Sequence, residues 1–259
     1  GTPEYGILID AGISIRTIKK VLKDRSVDMS QIMGVLVTHD HADHIKTVGY
    51  LGEKLNIPVF STEGVHQGIA KSRYVEETLC SSKRIIEKEK PFKIKDFEIT
   101  AFPVPHDSTD SVGFHIVFGD QRFTIATDMG HITDTVGKYI GMANHLVLEA
   151  NYDEEMLKFG TYPQFLKERV ASPTGHLSNR EAAEFLATHY IPELKDIWLC
   201  HLSRDNNHPE LAYKTVDIRL FEEGIRVGKD VQLVALKRTT PSDVYELSLI
   251  HISEPTRRS

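Results

Sequence analysis

The chain has 259 residues, 40% hydrophobic and 26% charged, enough to bury a sizeable core in one or two domains. Its formal net charge of −6 argues against a broad nonspecific nucleic-acid surface, though it leaves room for a local basic groove. No apolar run approaches the roughly 20 residues of a membrane span and no signal-peptide pattern opens the chain. Cys80 and Cys200 alone can build neither a disulfide framework nor a cysteine-based zinc ribbon, so a cytoplasmic protein is expected.

Strands alternate with amphipathic helices, without a Pro/Gly/Ser-rich linker or a repeat. Ile7–Asp10 is predicted as a strand and Ser14–Lys23 as a helix capped by Ser14. Met33–Thr38 reads as a buried strand, and Asp43–Leu55 as a helix carrying Ile45, Val48, Leu51 and Leu55 at helical spacing. Between them stands Thr38-His39-Asp40-His41-Ala42-Asp43-His44. Imidazole nitrogen and carboxylate oxygen suit zinc, manganese and iron. A solvated turn has no reason to alternate ligand types and then resume a helical pattern, so a metal site is predicted here.

Pro58–Phe60 follows as a short strand, and the mixed-charge run Lys83–Lys90 reads as a solvated edge. Phe92–Val104 divides into two strands around Lys95-Asp96, and Val112–Phe118 and Arg122–Thr127 form a hairpin about Gly119-Asp120. Helices are predicted near Thr133–Ile140, Pro163–Val170, Asn179–His189 and Pro209–Glu222. They alternate with strands at Leu146–Glu149, Ile197–Leu199 and Val231–Leu236. The mixture predicts one α/β domain with its sheets between helices.

Three strands run out into ligand types, at His106, Asp128 and His201. Ligands collect at the carboxyl ends of strands in α/β sheets, so all three can converge on the first cluster. Taken singly, His201 would read as a satisfied buried histidine and Asp128 as a turn residue or helix cap. Two further segments carry chemistry: Leu146–Glu149 ends in an acid, and Thr174-Gly175-His176-Leu177-Ser178-Asn179 sets a histidine before a helix. Ser178 or Asn179 reads as the cap, which leaves His176 unexplained.

The order His39-x-His41-x-Asp43-His44, then His106, Asp128 and His201, resembles the metallo-β-lactamase superfamily over essentially the whole chain. Leu8-Ile9-Asp10-Ala11-Gly12 matches the family segment whose aspartate braces the metal loop. The resemblance implies an α/β fold of the αββα four-layer sandwich type, with its N-terminal strand truncated and metals at one edge between the sheets. It implies two divalent metal ions, zinc or manganese. His39, His41 and His106 would hold one, Asp43, His44 and His201 the other, and Asp128 would bridge them. Two such cations lower the pKa of a shared water and stabilise charge at the attacked centre, with Asp43 able to assist that water. Asp40, between ligands, is expected to cap a helix or orient an imidazole.

The segments around Glu149 and His176 resemble the phosphodiesterase branch, in which such a histidine protonates the leaving oxygen. His176 takes that role by resemblance, with Glu149 as its partner. Within the branch, Glu149–Asp153, Pro173–Asn179 and His201–Asn207 resemble YycJ/WalJ-type proteins, regarded as 5′-to-3′ DNA exonucleases linked with mismatch repair. A DNA substrate is therefore expected. The alternatives are a small-molecule cyclic phosphodiesterase, a glyoxalase-type thioesterase, which His176 disfavours, and a non-catalytic metal-binding protein.

Lys158, Lys167, Arg169, Arg204 and Lys214 lie near the later motifs, yet each by itself reads as part of a solvated helix face. His66, His115, His131, His145, His189 and His208 are assigned to surface or core, and Cys200 to a small buried hydrophobe. Upstream sequence is expected before Gly1. From Leu247 to Ser259 the chain resembles a translated sequencing adapter, so the hydrolase domain is placed at residues 1–246 and 247–259 is set aside as a non-native tail.

Overall fold

The structure is a computed structural model that describes residues 1–247. The expected tail therefore falls, past Leu247, outside the described residues. Strands β1 (Gly6–Ile9), β2 (Ile32–Leu36), β3 (Val59–Ser61) and β4 (Lys83–Ile85) form an all-parallel sheet in that order. Side chains along β2 alternate between two cores. Val35 and Val37 pack with Ile18, Ile45, Val48, Leu51, Val65 and Ile69, while Leu36 joins Ile94, Phe97, Ile99, Phe114 and Ile116. The first core lies under helices α1 (Ile15–Asp24), α2 (Ala42–Ile45) and α3 (Glu63–Lys71).

The second sheet runs β11-β10-β9-β8-β7-β6-β5, with β5 (Phe92–Ile94), β6 (Phe97–Pro103), β7 (Val112–Phe118), β8 (Gln121–Ala126), β9 (His145–Glu149), β10 (Asp196–Cys200) and β11 (Gln232–Ala235). Strands β5 to β8 are antiparallel neighbours and β8 to β11 are parallel ones. The outer face of this sheet, with Phe102, Ala126, Leu146 and Leu148, buries Val136 and Ile140 of α4 (Asp134–Ile140). It also buries Leu186 of α7 (Asn179–Thr188) and Val216 and Leu220 of α8 (Pro209–Glu222). Helix, sheet, sheet, helix is the expected sandwich. Two short helices, α5 (Glu154–Phe159) and α6 (Gln164–Val170), stand between β9 and α7.

Several elements depart from the sequence reading. The helix expected over Asp43–Leu55 pauses at Lys46-Thr47 and contains a π-helical stretch, Tyr50–Lys54. Helix α3, capped by Thr62, was not anticipated, nor was α5, capped by Asp153. The solvated edge at Lys83 holds an edge strand, β4, hydrogen-bonded to β3. Ser14 and Ser178 cap α1 and α7 as read, Ser178 in a reciprocal box with Glu181.

Candidate metal centre

The centre is assembled at strand ends. Asp10 follows β1, His39 follows β2, His106 follows β6 and Asp128 follows β8, while Glu149 closes β9 and His201 follows β10. Asp10, Asp128 and His201 have positive φ (59°, 56° and 54°), a left-handed conformation costing roughly 1–2 kcal/mol outside glycine. Three separate strands thus stop on the same uncommon turn at one sheet edge, where their side chains meet.

Ligand-type atoms of His39, His41 and His106 lie within 4.8 Å of one another, as do those of Asp43, His44 and His201. Asp128 falls into two further groups, one with His39 and His44 and one with Glu149, His176 and His201. Its Oδ1 is 3.8 Å from His106 Nε2 and its Oδ2 is 3.5 Å from His44 Nε2, so it stands between the two triads. The fold therefore brings together every side chain expected at the metals, together with His176 and Glu149.

Hydrogen bonds behind the cluster set which ring nitrogens face it. His106 donates Nδ1–H to the Gly175 carbonyl at 3.0 Å, and His44 donates Nδ1–H to Asp10 Oδ2 at 2.8 Å. Each Nε2 therefore faces the centre. Asp10 also accepts from Thr38 N and Thr38 Oγ1, both at 2.8 Å, and so ties β1 to the loop that carries the first ligands. Gly12 belongs to the same brace, since a Cβ there would lie 1.4 Å from the Asp43 carbonyl oxygen.

The donor set fits a cation. His39 Nδ1 is engaged by Thr38 Oγ1 at 3.0 Å, but its buried Nε2 has no hydrogen-bond partner among the described residues. Burial, then the imidazoles of His44, His106, His41 and His201, drive the His39 pKa far down and keep it neutral, as a ligand must be. Burial likewise lowers His106. For His44 burial acts downward, but Asp10 and Asp128 outweigh it and raise the pKa to about 9. The His201 imidazole, 3.7 Å away, holds Asp43 well below the usual carboxylate range, against the opposing effect of burial.

Glu149 is fully buried, and its Oε1 accepts from both His176 Nδ1 (2.7 Å) and His201 Nδ1 (2.9 Å). Its Oε2 accepts from Met129 N at 2.8 Å. Burial opposes its ionisation, yet the two imidazoles keep it charged. His176 titrates higher than an ordinary histidine; burial opposes the shift, and the Glu149 hydrogen bond more than offsets it.

Asp40 departs from the sequence reading, whereas His131 lies on the surface and His145 in the core, as read. Among the described residues Asp40 caps no helix and pairs with no imidazole; it accepts from Thr109 N (3.1 Å) and Thr109 Oγ1 (2.6 Å), holding the loop after His106. His131 is exposed and bonds to the Pro173 carbonyl, outside the cluster. His145 is buried between Asp196 and Gln121, each at 2.7 Å, a satisfied core histidine. Burial pushes the Cys200 thiol up, away from nucleophilic use. Two residues at the centre went unread: Thr38, and Asp107, whose carboxylate flanks His106 Nε2 at 3.6 Å and His41 Nε2 at 3.9 Å. Asp107's place directly after a ligand was the available signal.

Residues 5–195 match the β-lactamase superfamily domain. Exodeoxyribonuclease YycJ of Bacillus anthracis is 34% identical over 90% of this chain and 88% of its own length. Exodeoxyribonuclease WalJ of Streptococcus pneumoniae is 32% identical over 95% of this chain and 91% of its own. Among solved structures, Zn²⁺-bound PqqB of Methylobacterium extorquens shares the fold with a TM-score of 0.63 at 18% identity, covering 90% of this chain and 83% of that one.

Proposed function

The chain belongs to the β-lactamase superfamily and is a metal-dependent hydrolase, and we propose that it cleaves phosphodiester bonds as a 5′-to-3′ DNA exonuclease. The observation that carries this reading is the His176–Glu149 pair, 2.7 Å apart, standing beside the ligand cluster without belonging to either metal triad. An alkoxide is a poor leaving group, and a positioned acid accelerates its departure by about 10²–10⁴-fold. Glu149 accepts a hydrogen bond from His176 Nδ1–H and favours the protonated ring, so Nε2–H is free to donate to the departing 3′-oxygen. The likeness to YycJ and WalJ over nearly their whole lengths supports DNA as the substrate.

Two divalent cations, zinc or manganese, would be held by His39, His41 and His106 and by Asp43, His44 and His201, with Asp128 between them. When bound they supply Lewis acidity at phosphorus and an activated water. Asp43, 71% exposed, faces solvent and can steer the proton of an entering water. Asp10 and Gly175 fix the rings of His44 and His106 from behind. Residues 1–246 form the hydrolase domain in this reading. Among the described residues no helix is long and apolar enough to cross a membrane. We place the protein in the cytoplasm, with DNA.

The test is release of nucleotides from end-labelled single- and double-stranded DNA with manganese or zinc. Wild type should shorten DNA from its 5′ end, and His176→Ala should lose about 10²-fold or more in kcat at unchanged metal content. A second reading, hydrolysis of a small cyclic phosphodiester, is favoured by the net charge of −6. Metallated wild type that opens such a ring and leaves DNA intact would establish it.

A further inference from the structure

Arg169 is the cation that the fold brings to the metal centre. Its Nε and Nη2 donate to Asp107 Oδ2 and Oδ1 at 2.6 and 3.2 Å, a two-pronged contact spanning 62 residues of sequence. Asp107 in turn flanks the ring nitrogens of His41 and His106. Among the described residues no other Lys or Arg is ion-paired with an acid bordering the cluster. The backbone of Arg169 is equally fixed. It lies in the last turn of α6, its carbonyl accepts from Ser172 N and Oγ, and a Cβ on Gly175 would lie 2.2 Å from that carbonyl oxygen. One residue past Gly175 comes His176, whose amide donates to the Val170 carbonyl at 2.9 Å. Arg169 and His176 are therefore held at opposite ends of one short strap.

A guanidinium has five N–H donors, and Asp107 uses two. The remaining three have no partner among the described residues, and the side chain is 53% exposed. An arginine needed only to neutralise Asp107 could lie flat and covered. This one is held by two hydrogen bonds and stays half exposed with three donors unused. It also sits beyond the Asp107 carboxylate, one layer outside the ligand nitrogens. Because Nε and Nη2 turn toward Asp107, the carboxylate that borders those nitrogens, the remaining donors point away from it and are offered to a phosphate other than the one the nitrogens frame.

We propose that Arg169 binds a non-scissile phosphate of a polynucleotide, and so separates nucleic-acid strands from substrates with a single phosphate. The inference rests on the phosphodiesterase reading and makes it more specific. A cyclic phosphodiester has no second phosphate to offer, whereas every strand does.

The test compares wild type with Arg169→Gln, and with the charge-balanced pair Asp107→Asn/Arg169→Gln, on an oligodeoxynucleotide and on bis(4-nitrophenyl) phosphate. The expected result is a fall of about tenfold or more in the ratio of kcat/KM for the oligonucleotide to that for the one-phosphate substrate, carried by KM. Binding of a phosphorothioate oligonucleotide should lose about one unit of slope against log salt. An unchanged ratio and slope, whether both activities fall together or neither moves, would overturn the inference and leave Arg169 as a brace for Asp107. Failure of the underlying reading shows instead in the wild type, as turnover of the one-phosphate substrate without cleavage or binding of DNA, and removes the inference with it.

Discussion

Glu149 is the residue on which the proposed chemistry turns, although it need never touch a substrate. It has no exposure, and one of its oxygens is shared between His176 and His201, which joins the proposed acid to a proposed ligand. As a positioning residue it should be replaceable in shape but not in charge. Glu149→Gln presents an amide to two ring N–H groups and the Met129 N–H, and no orientation of that amide satisfies all three. The expected outcome is a fall in kcat on DNA of about 10²-fold, with partial return in Glu149→Asp. A nitrophenolate departs without protonation, so activity on bis(4-nitrophenyl) phosphate should fall far less. Equal loss on both substrates would mean that Glu149 only holds the cluster together.

Elements carry the centre through pins that lie far apart in sequence, and Asp110 is one of them. It follows the His106 loop, accepts from Thr62 Oγ1 at 2.7 Å and Ser111 N at 2.9 Å, and pairs with Lys88. It thereby joins the N-cap of α3 to the segment between β6 and β7. Partial burial opposes its ionisation, but Lys88 and Thr62 outweigh that and hold its pKa below the usual aspartate value. A depressed carboxylate stabilises the fold above its unfolded pKa of about 3.9, and that contribution disappears as pH falls through the folded value. Asp110→Asn should therefore cost about 1–2 kcal/mol at pH 7, read from urea midpoints, and the gap should close below pH ~3.9. A gap that persists in acid would mean that the pin does not depend on charge. The same scale shows what the sequence could disclose. The α/β alternation, the hairpin at Gly119-Asp120, both serine caps and the gathering of ligand-type residues at strand ends could be read, because each is local or lies at the end of an apolar run. Helix α3 could not, since two glycines in Glu63–Lys71 dilute its helical signal, and β4, an exposed edge strand rich in cations, has no apolar alternation. Asp107–Arg169 was illegible for another reason: no periodicity reports a contact across 62 positions.

Across the whole molecule, the two sheets contribute unlike parts to one centre. The loop after β2 brings His39, His41, Asp43 and His44, and the ends of β6, β8 and β10 bring His106, Asp128 and His201. Backbone already joins the sheets here, through the His39–Ser111 bridge and the Val112 amide on the Thr38 carbonyl at 3.0 Å. The three hydrophobic cores contain none of the candidate ligands and reach them only through neighbours such as Ala11, Ile45 and Met129. Bound cations should act as a clasp across one edge of a sandwich that folds without them. Chelation should leave the far-ultraviolet spectrum intact and lower Tm. Each site saturated a hundredfold over its Kd contributes about 2.7 kcal/mol, and in a chain of this size each kcal/mol is roughly 2–4 °C. Hydrogen exchange should place the lost protection at residues 38–46, 104–111, 127–130 and 200–207, leaving β5 and α8 as they were. Asp128→Ala, which removes the side chain standing between both triads, should weaken the response of Tm to added metal. If chelation instead unfolds the chain outright, the centre is part of the core. If it changes neither Tm nor exchange, the buried and unpartnered Nε2 of His39 is not there for a cation.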